Sequence, residues 1–456
     1  ANTYIYVTNG NANAQAPYAT RETAAGDIQT AIDAAIEDQV VVVLKSDRPY
    51  QISKRIVLEK NVTVCGETGN PLDVIVTRKS DVNVSIMRMS GERALVHSLT
   101  LKGGYGTSEV FGNGLDIDQR GMVSNCVICG CTSGDYHSGD ALRLTGANAV
   151  ATHCVVSNNT AGADGDARAT GVGVYGGARL ANSLICNNRE TATGGTAGRG
   201  AVRMSGSGSL VENCTVVDNS ARYCGGVYAD GGTVRNCVIA GNKSTTQSSD
   251  YDSFGPGQEA RFDHCACDTA KINDTCVQDA AANFFNGYAV GDYTVATGSK
   301  LIDAGAEPTC TYTLDLALFT RVMGDAIDIG AYEYDTSKLG VGIACDIDKA
   351  VLPATATFTA SLSDGETAGM YFDWDFDNDG TIDMTTTTPV AQHTYETAGQ
   401  YSVKVRAYNA GGTREATKTA QGVVYLMPKT IYVVKNSPSA AFPYGSFATA
   451  AKTLPT

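Results

Sequence analysis

Little in this chain could cross a membrane or grip nucleic acid. Its longest aliphatic run is residues 40–44, far short of the roughly 20 apolar residues a bilayer-spanning helix needs. Basic residues are scarce: 34 Lys and Arg stand against 48 Asp and Glu, for a net charge of -14. Phosphate neutralisation needs clustered Lys and Arg, so nucleic-acid binding is not expected. Tryptophan occurs once, while Gly occurs 50 times in 456 residues and 43% of the chain is apolar. That composition excludes disorder and favours a folded, turn-rich, β-dominated chain. The chain begins at Ala1 without Met and shows no signal peptide, as a mature secreted chain or an expression fragment would. Zinc spacing is missing too: Cys126, Cys129 and Cys131 lie close together, but no second pair follows.

What is present is a repeated phrase. Val234-Arg-Asn-Cys237-Val-Ile-Ala-Gly-Asn242 recurs as Val123-Ser-Asn-Cys126-Val-Ile-Cys-Gly-Cys131 and as Ala151-Thr-His-Cys154-Val-Val-Ser-Asn-Asn159. Further copies centre on Ser183 and Cys214, with weaker ones at Ser98 and Cys265. The anchors are 23 to 31 residues apart, a period that marks a solenoid. Each step is rich in Gly, Val, Thr and Asn, which favours short strands joined by tight turns. Stacked turns would place Cys and Ser in an inward ladder about 4.8 Å apart. The residue five places on, Asn159, Asn188, Asn219 or Asn242, would form a ladder at a turn, since Asn tolerates left-handed backbone and its amide can bond along the stack. A second strand series lies between the anchors, at 114–117, 141–144, 171–174, 201–204 and 226–228. In residues 22–37, Ile28, Ala31, Ile32, Ala35 and Ile36 recur at helical spacing, so a helix is expected there, capping the open first turn. Ladder cysteines are expected to be small buried side chains. In an oxidising compartment the better disulfide candidates are Cys265, Cys267, Cys276, Cys310 and Cys345.

This pattern resembles a right-handed parallel β-helix. The opening Tyr4-Ile-Tyr-Val7, Pro17-Tyr18 and Ile28-Gln-Thr-Ala-Ile-Asp-Ala-Ala35 looks like the usual start of such helices. The end, with Leu301-Ile-Asp303-Ala-Gly305, Arg321 and Asp328-Ile-Gly-Ala-Tyr-Glu333, resembles the terminal signature of the choice-of-anchor Q group of bacterial surface proteins. Asp303, Arg321 and Asp328 are expected to form a buried charge cluster closing the last turn. Further on, Tyr371-Phe-Asp-Trp374-Asp-Phe-Asp and His393-Thr-Tyr395 with Gly399-Gln-Tyr401-Ser-Val403 resemble a PKD (polycystic-kidney-disease) module. That resemblance implies an extracellular immunoglobulin-like β-sandwich. The expected fold class is therefore all-β: a parallel β-helix over residues 1–335 with an N-terminal capping helix, a linker at 336–345, and a PKD-type sandwich over 346–427.

Residues 428–456 repeat the beginning. Ile431-Tyr-Val433, Pro443-Tyr444 and Thr449-Ala-Ala451 align without a gap to Ile5-Tyr-Val7, Pro17-Tyr18 and Thr23-Ala-Ala25, at an offset of 426. This stretch reads as the start of a second β-helix or an assembly segment, with Ile431, Tyr432, Val433, Pro443 and Tyr444 as its contact residues and other copies of the chain as head-to-tail partners.

Two constellations could carry chemistry. Asp375, Asp377, Asp379 and Asp383, with Gly380 at the sharp turn, have the spacing of a calcium loop; Thr386 instead of Glu at the twelfth place excludes an EF-hand. Calcium is the one cofactor this implies. Asp135, His137 and Asp140, followed one turn on by Asp164, Asp166 and Arg168, are the catalytic candidates, because stacking could set paired carboxylates at a spacing suited to glycoside hydrolysis. The signature motifs of polygalacturonases are absent. The reading that follows is an extracellular or cell-surface bacterial protein, a structural repeat unit rather than an enzyme. The alternatives are a secreted polysaccharide lyase or glycoside hydrolase, and a carbohydrate-binding adhesin with polysaccharide as partner.

Overall fold

The structure, a computed structural model, describes residues 3–106, 112–133, 140–162, 169–191, 199–245, 261–269, 273–307, 313–334, 339, 341–347, 349–362, 367–411 and 415–428. It divides into two units, Ala1–Tyr334 and Asp335–Thr456.

The first unit is a parallel β-solenoid of about six turns. Its period of short apolar strands produces three ladders. One holds 10 strands, from Tyr50–Ile52 through Val127–Cys129, Val155–Ser157 and Leu184–Cys186 to Val277–Gln278. A second holds six two-residue strands, among them Thr132–Ser133 and Thr160–Ala161. The third is a 15-stranded sheet in which the long strands Leu115–Ser124 and Leu142–Thr152 join two series. Pairing is in register, as in Val155 with Leu184 and Leu184 with Thr215. In-register stacking follows from the repeat itself: any slip would carry the apolar positions out of the core.

The anchors form the inward ladder. Cys126, Cys154, Ser183, Cys214, Cys237 and Cys265 are all buried. The asparagines five places on are buried as well, and the left-handed residue is the one before each of them: Asn158, Asn187, Asp218 and Gly241, with φ of 55, 56, 55 and 64°. The turn is thus made at the outer corner, which turns the next side chain inward. A second row of left-handed residues precedes the anchors at Asn125, His153, Asn182, Asn213, Asn236 and His264.

The capping helix is shorter than its periodicity predicts, Ile28–Ala34 rather than 22–37. Asp27 caps its N-terminus by accepting the Thr30 N–H. Ala35 turns to extended backbone, which leaves Ile36 58% exposed instead of on the apolar face. The Lys60 ammonium donates to the carbonyls of Ile32, Asp33 and Ala35, satisfying the helix's last acceptors. Residues 18–26, outside the helix, seal the edge of the first strand, Tyr4–Val7. Tyr6 N–H donates to Tyr18 O, Ala25 N–H to Tyr6 O and Thr8 N–H to Ala25 O, at 2.9, 2.8 and 2.9 Å.

At the other end the chain turns back over the outer face of the 10-stranded sheet. Phe284, Phe285, Tyr293, Val295, Leu301 and Ile329 form a second core with Cys186, Val217, Val238 and Ala240. The tyrosine hydroxyls of Tyr288 and Tyr293 both donate to the Asp218 carboxylate, at 2.5 and 2.8 Å. The closing charge cluster is there, with different members than expected. Arg321 is 1% exposed and lies 3.3 Å from Glu333, and it donates to the carbonyls of Asp328 and Gly330. Asp328 and Asp315 are buried beside it, but Asp303 is exposed, and its carboxylate accepts the Ala326 N–H instead. Asp303 lies on a left-handed turn with φ 53°, so its side chain stays outside.

Cys65, Cys265 and Cys276 carry free thiols, and no disulfide joins cysteines among the described residues. Cys310 lies outside them. Burial pushes the Cys126 and Cys237 thiols well above their ordinary range, as for inert packed side chains.

The second unit is a β-sandwich. One sheet is Val341–Cys345, Ala354–Leu362 and Val390–Tyr395; the other has five strands, including Met370–Asp375, Gly399–Asn409 and Glu415–Met427. Part of the expected linker 336–345 is therefore a strand: Val341 is buried and residues 341–345 pair antiparallel with Ala354–Leu362. Phe358, Phe372, Trp374 and Phe376 fill the core, and Trp374 Nε1 donates to Thr386 Oγ1 at 3.1 Å.

Candidate functional site

Of the catalytic candidates, Asp135, His137, Asp164, Asp166 and Arg168 lie outside the described residues. Asp140 is described and buried at the corner before the strand Leu142–Thr152. Its carboxylate accepts the Ala169 N–H at 3.1 Å and the Tyr175 hydroxyl at 3.3 Å. It sits directly over Gly173, where a Cβ would come within 2.5 Å of Asp140 Oδ2. Glycine there makes room for the carboxylate. Asp140 ties one turn to the next.

The same flank carries charge that sequence reasoning passed over. In Met87–Met89, residues 115–117 and residues 142–144, the outer residues point into the core and the middle one points out. The register stacks these middle residues as Arg88, Asp116 and Arg143. Burial pushes the Asp116 carboxyl up to about 6, against the opposing pull of the Arg143 guanidinium. Arg88 forms an ion pair with Asp118. The signal was legible as a charged residue between two apolar ones on successive strands, but alternation alone reads such a residue as a solvated face.

In the sandwich the acidic turn follows the strand Met370–Asp375. Oxygens of Asp375, Asp377 and Asp383 lie within 4.8 Å of one another. Asp375 is buried and accepts the N–H groups of Asp379 and Gly380 at 3.1 and 3.0 Å; Asp383 accepts the Phe376 N–H at 2.7 Å. Asp379 is outside this triad and turns its carboxylate to the Thr381 N–H at 2.7 Å. Asn378 and Gly380 take left-handed backbone, with φ of 56 and 94°, which folds the carboxylates together. Partial desolvation, with the charges of Asp379, Asp383 and Asp375, raises the Asp377 carboxyl. Three hard carboxylates that repel one another in this way fit an oxygen-loving divalent cation, and Asp375, Asp377 and Asp383 would hold it.

Ile431, Tyr432, Val433, Pro443 and Tyr444 lie outside the described residues. Their counterparts are described: Ile5, Tyr6 and Val7 form the first strand, in register with Val41, Val42 and Val43, and Tyr18 seals its edge. His97, His153 and His264 bond Ser98, Thr152 and Asp263 respectively, and so serve three separate turns.

No curated protein matches the chain. Residues 348–421 match the PKD domain family, which places a PKD domain after the β-solenoid.

Proposed function

We infer that this is an extracellular surface-type protein, a reading supported by the solenoid together with the PKD domain, since PKD domains are typical of extracellular proteins. We propose that the chain is a structural repeat unit of such a surface array or filament, in which β-helix rods alternate with PKD spacers. The buried convergence of Arg321, Asp328 and Glu333 supports reading its rod as the choice-of-anchor Q kind.

One observation carries the array reading. The copy at offset 426 repeats more than the first strand. It repeats Pro17-Tyr18 and Thr23-Ala-Ala25 as Pro443-Tyr444 and Thr449-Ala-Ala451, and Tyr18 and Ala25 are the residues that seal the first strand's edge. An open parallel edge would template unwanted pairing. A segment that encodes both a first strand and its seal is suited to begin a new, self-capped rod after the spacer. It is poorly suited to add a strand to the end of another copy, because that end is already bonded. Rod then follows spacer, and reach comes from the number of units.

Electron microscopy of the native surface material tests this. Rods recurring in series, head to tail, are the expected result. Isolated rods of a single unit would overturn it.

A further inference from the structure

Five side chains on the flank of the rod make a charged recess. The register stacks Val57, Arg88, Asp116 and Arg143 on successive turns, about 4.8 Å apart. Asp116 is shorter than the arginines on either side, so it lies recessed between them and is 5% exposed. Its Oδ1 is enclosed and accepts no hydrogen bond. The nearest guanidinium nitrogen, on Arg143, is 4.0 Å away, too far for one. Arg88 is turned aside to Asp118. Arg55, half-buried just before the strand Ile56–Leu58 and close enough to feel the charges of Arg88 and Asp116, makes no hydrogen bond or ion pair among the described residues. The guanidiniums of Arg55, Arg88 and Arg143 share this spot with the carboxylates of Asp116 and Asp118, and Glu59 is close enough to act on Arg88.

We infer that this recess binds a carboxylate-bearing sugar unit of an acidic polysaccharide. Among the described residues Arg55 lacks an anion and Asp116 lacks a donor. A simple anion would leave Asp116 unanswered and be repelled by it. A neutral sugar would leave Arg55 unanswered, and a cation would be repelled by Arg55. A sugar acid carries both a carboxylate, for Arg55, and hydroxyl donors, for Oδ2 of Asp116, the oxygen that is not enclosed. Charge-assisted bonds of this kind are the strong ones. A small hydroxy acid has the same groups, but the outward row continues past the recess. The Arg143 guanidinium lies 5.8 Å from the Tyr175 ring centre, and two turns beyond it the row reaches Arg203 and then Tyr228. A chain of sugars could follow that line, whereas a single acid could not.

Titration calorimetry of the full chain tests the site, using trimers of galacturonate, glucuronate and mannuronate, the matching monomers, and neutral galactotriose. At least one acidic trimer is expected to bind, more tightly than its monomer and than galactotriose. Arg55→Ala and Arg55→Gln should each weaken that binding roughly tenfold or more, as loss of a charged hydrogen bond does. Arg55→Lys should keep part of it, and thermal melting should show all three variants folded. Failure of every acidic trimer to bind would overturn the inference, as would unchanged affinity in folded Arg55→Ala and Arg55→Gln. Equal binding of monomer and trimer would overturn the polysaccharide assignment. None of these outcomes bears on whether the rods are joined in series.

Discussion

Asn188 Nδ2 donates to Oδ1 of Asn219, 2.9 Å away and one turn further along the solenoid. The same bond joins Asn159 to Asn188 at 2.8 Å and Asn219 to Asn242 at 2.9 Å. Each amide also serves the backbone, since Asn188 accepts the Asn159 N–H and donates to Val156 O. A buried polar row is stable only when every member is satisfied, and this one is satisfied by its own repetition.

Replacing Asn188 with leucine should therefore cost more than one hydrogen bond. It strips the acceptor from the Asn159 N–H and the donor from Val156 O. At about 1–3 kcal/mol for each of these two buried orphans, the solenoid should lose about 2–6 kcal/mol. Urea denaturation followed through the solenoid's transition measures this, and a loss under about 1 kcal/mol would show that the ladder is incidental.

Gly173 should tolerate no side chain. A Cβ there would meet Asp140 Oδ2 at 2.5 Å and the Tyr175 hydroxyl at 2.6 Å. Gly173→Ala must push both groups out of their hydrogen bond, so a loss of about 1–3 kcal/mol is expected, in the range of overpacked cores. If the melting temperature is unchanged, the clamp made by Asp140 is not rigid.

Burial raises the Glu333 carboxyl from 4.5 to about 8, outweighing the attraction of Arg321. A raised acid binds its proton more tightly when folded. Its contribution to stability is fully present below pH 4.5 and is lost as pH rises towards 8. Asp116 has the same sign but is exhausted near its own value of about 6. Between those two values the melting temperature should fall with rising pH, and Glu333→Gln should flatten that slope. A wild-type slope of the opposite sign would contradict the burial account.

Calcium should stabilise the sandwich if Asp375, Asp377 and Asp383 bind it. Millimolar calcium is then expected to raise the sandwich's melting temperature and chelation to reverse it. The effect should vanish in Asp383→Asn, which keeps the shape of the turn. No shift on adding calcium would leave the turn as one held by backbone hydrogen bonds alone.

Much of this architecture was legible because repetition amplifies weak signals. One copy of Asn-Cys-Val-Ile could be a helix or a strand; several at a near-constant step can only stack. The sandwich was legible from Trp374, Tyr395 and Tyr401. What escaped came from contacts between distant segments. Ile36 has the spacing of a core residue, but the chain turns at Ala35. Nothing in Leu184, Val217 or Val238 announced that residues 281–329 would cover their outer sheet. Asp303 looked like a partner of Arg321 because it sits in a recognisable motif, yet the partner is Glu333.

The period, the inward ladder and the PKD domain could be read from the chain alone, because each depends on local pattern and on neighbours one turn away. The sequence also contains the copy at offset 426, which no single unit's structure would disclose. Which charged groups are buried together depends on the fold. Arg321 with Glu333, and Asp116 between Arg88 and Arg143, owe their character to register and to loss of solvent. Those are properties of the stacked chain, and no residue carries them alone.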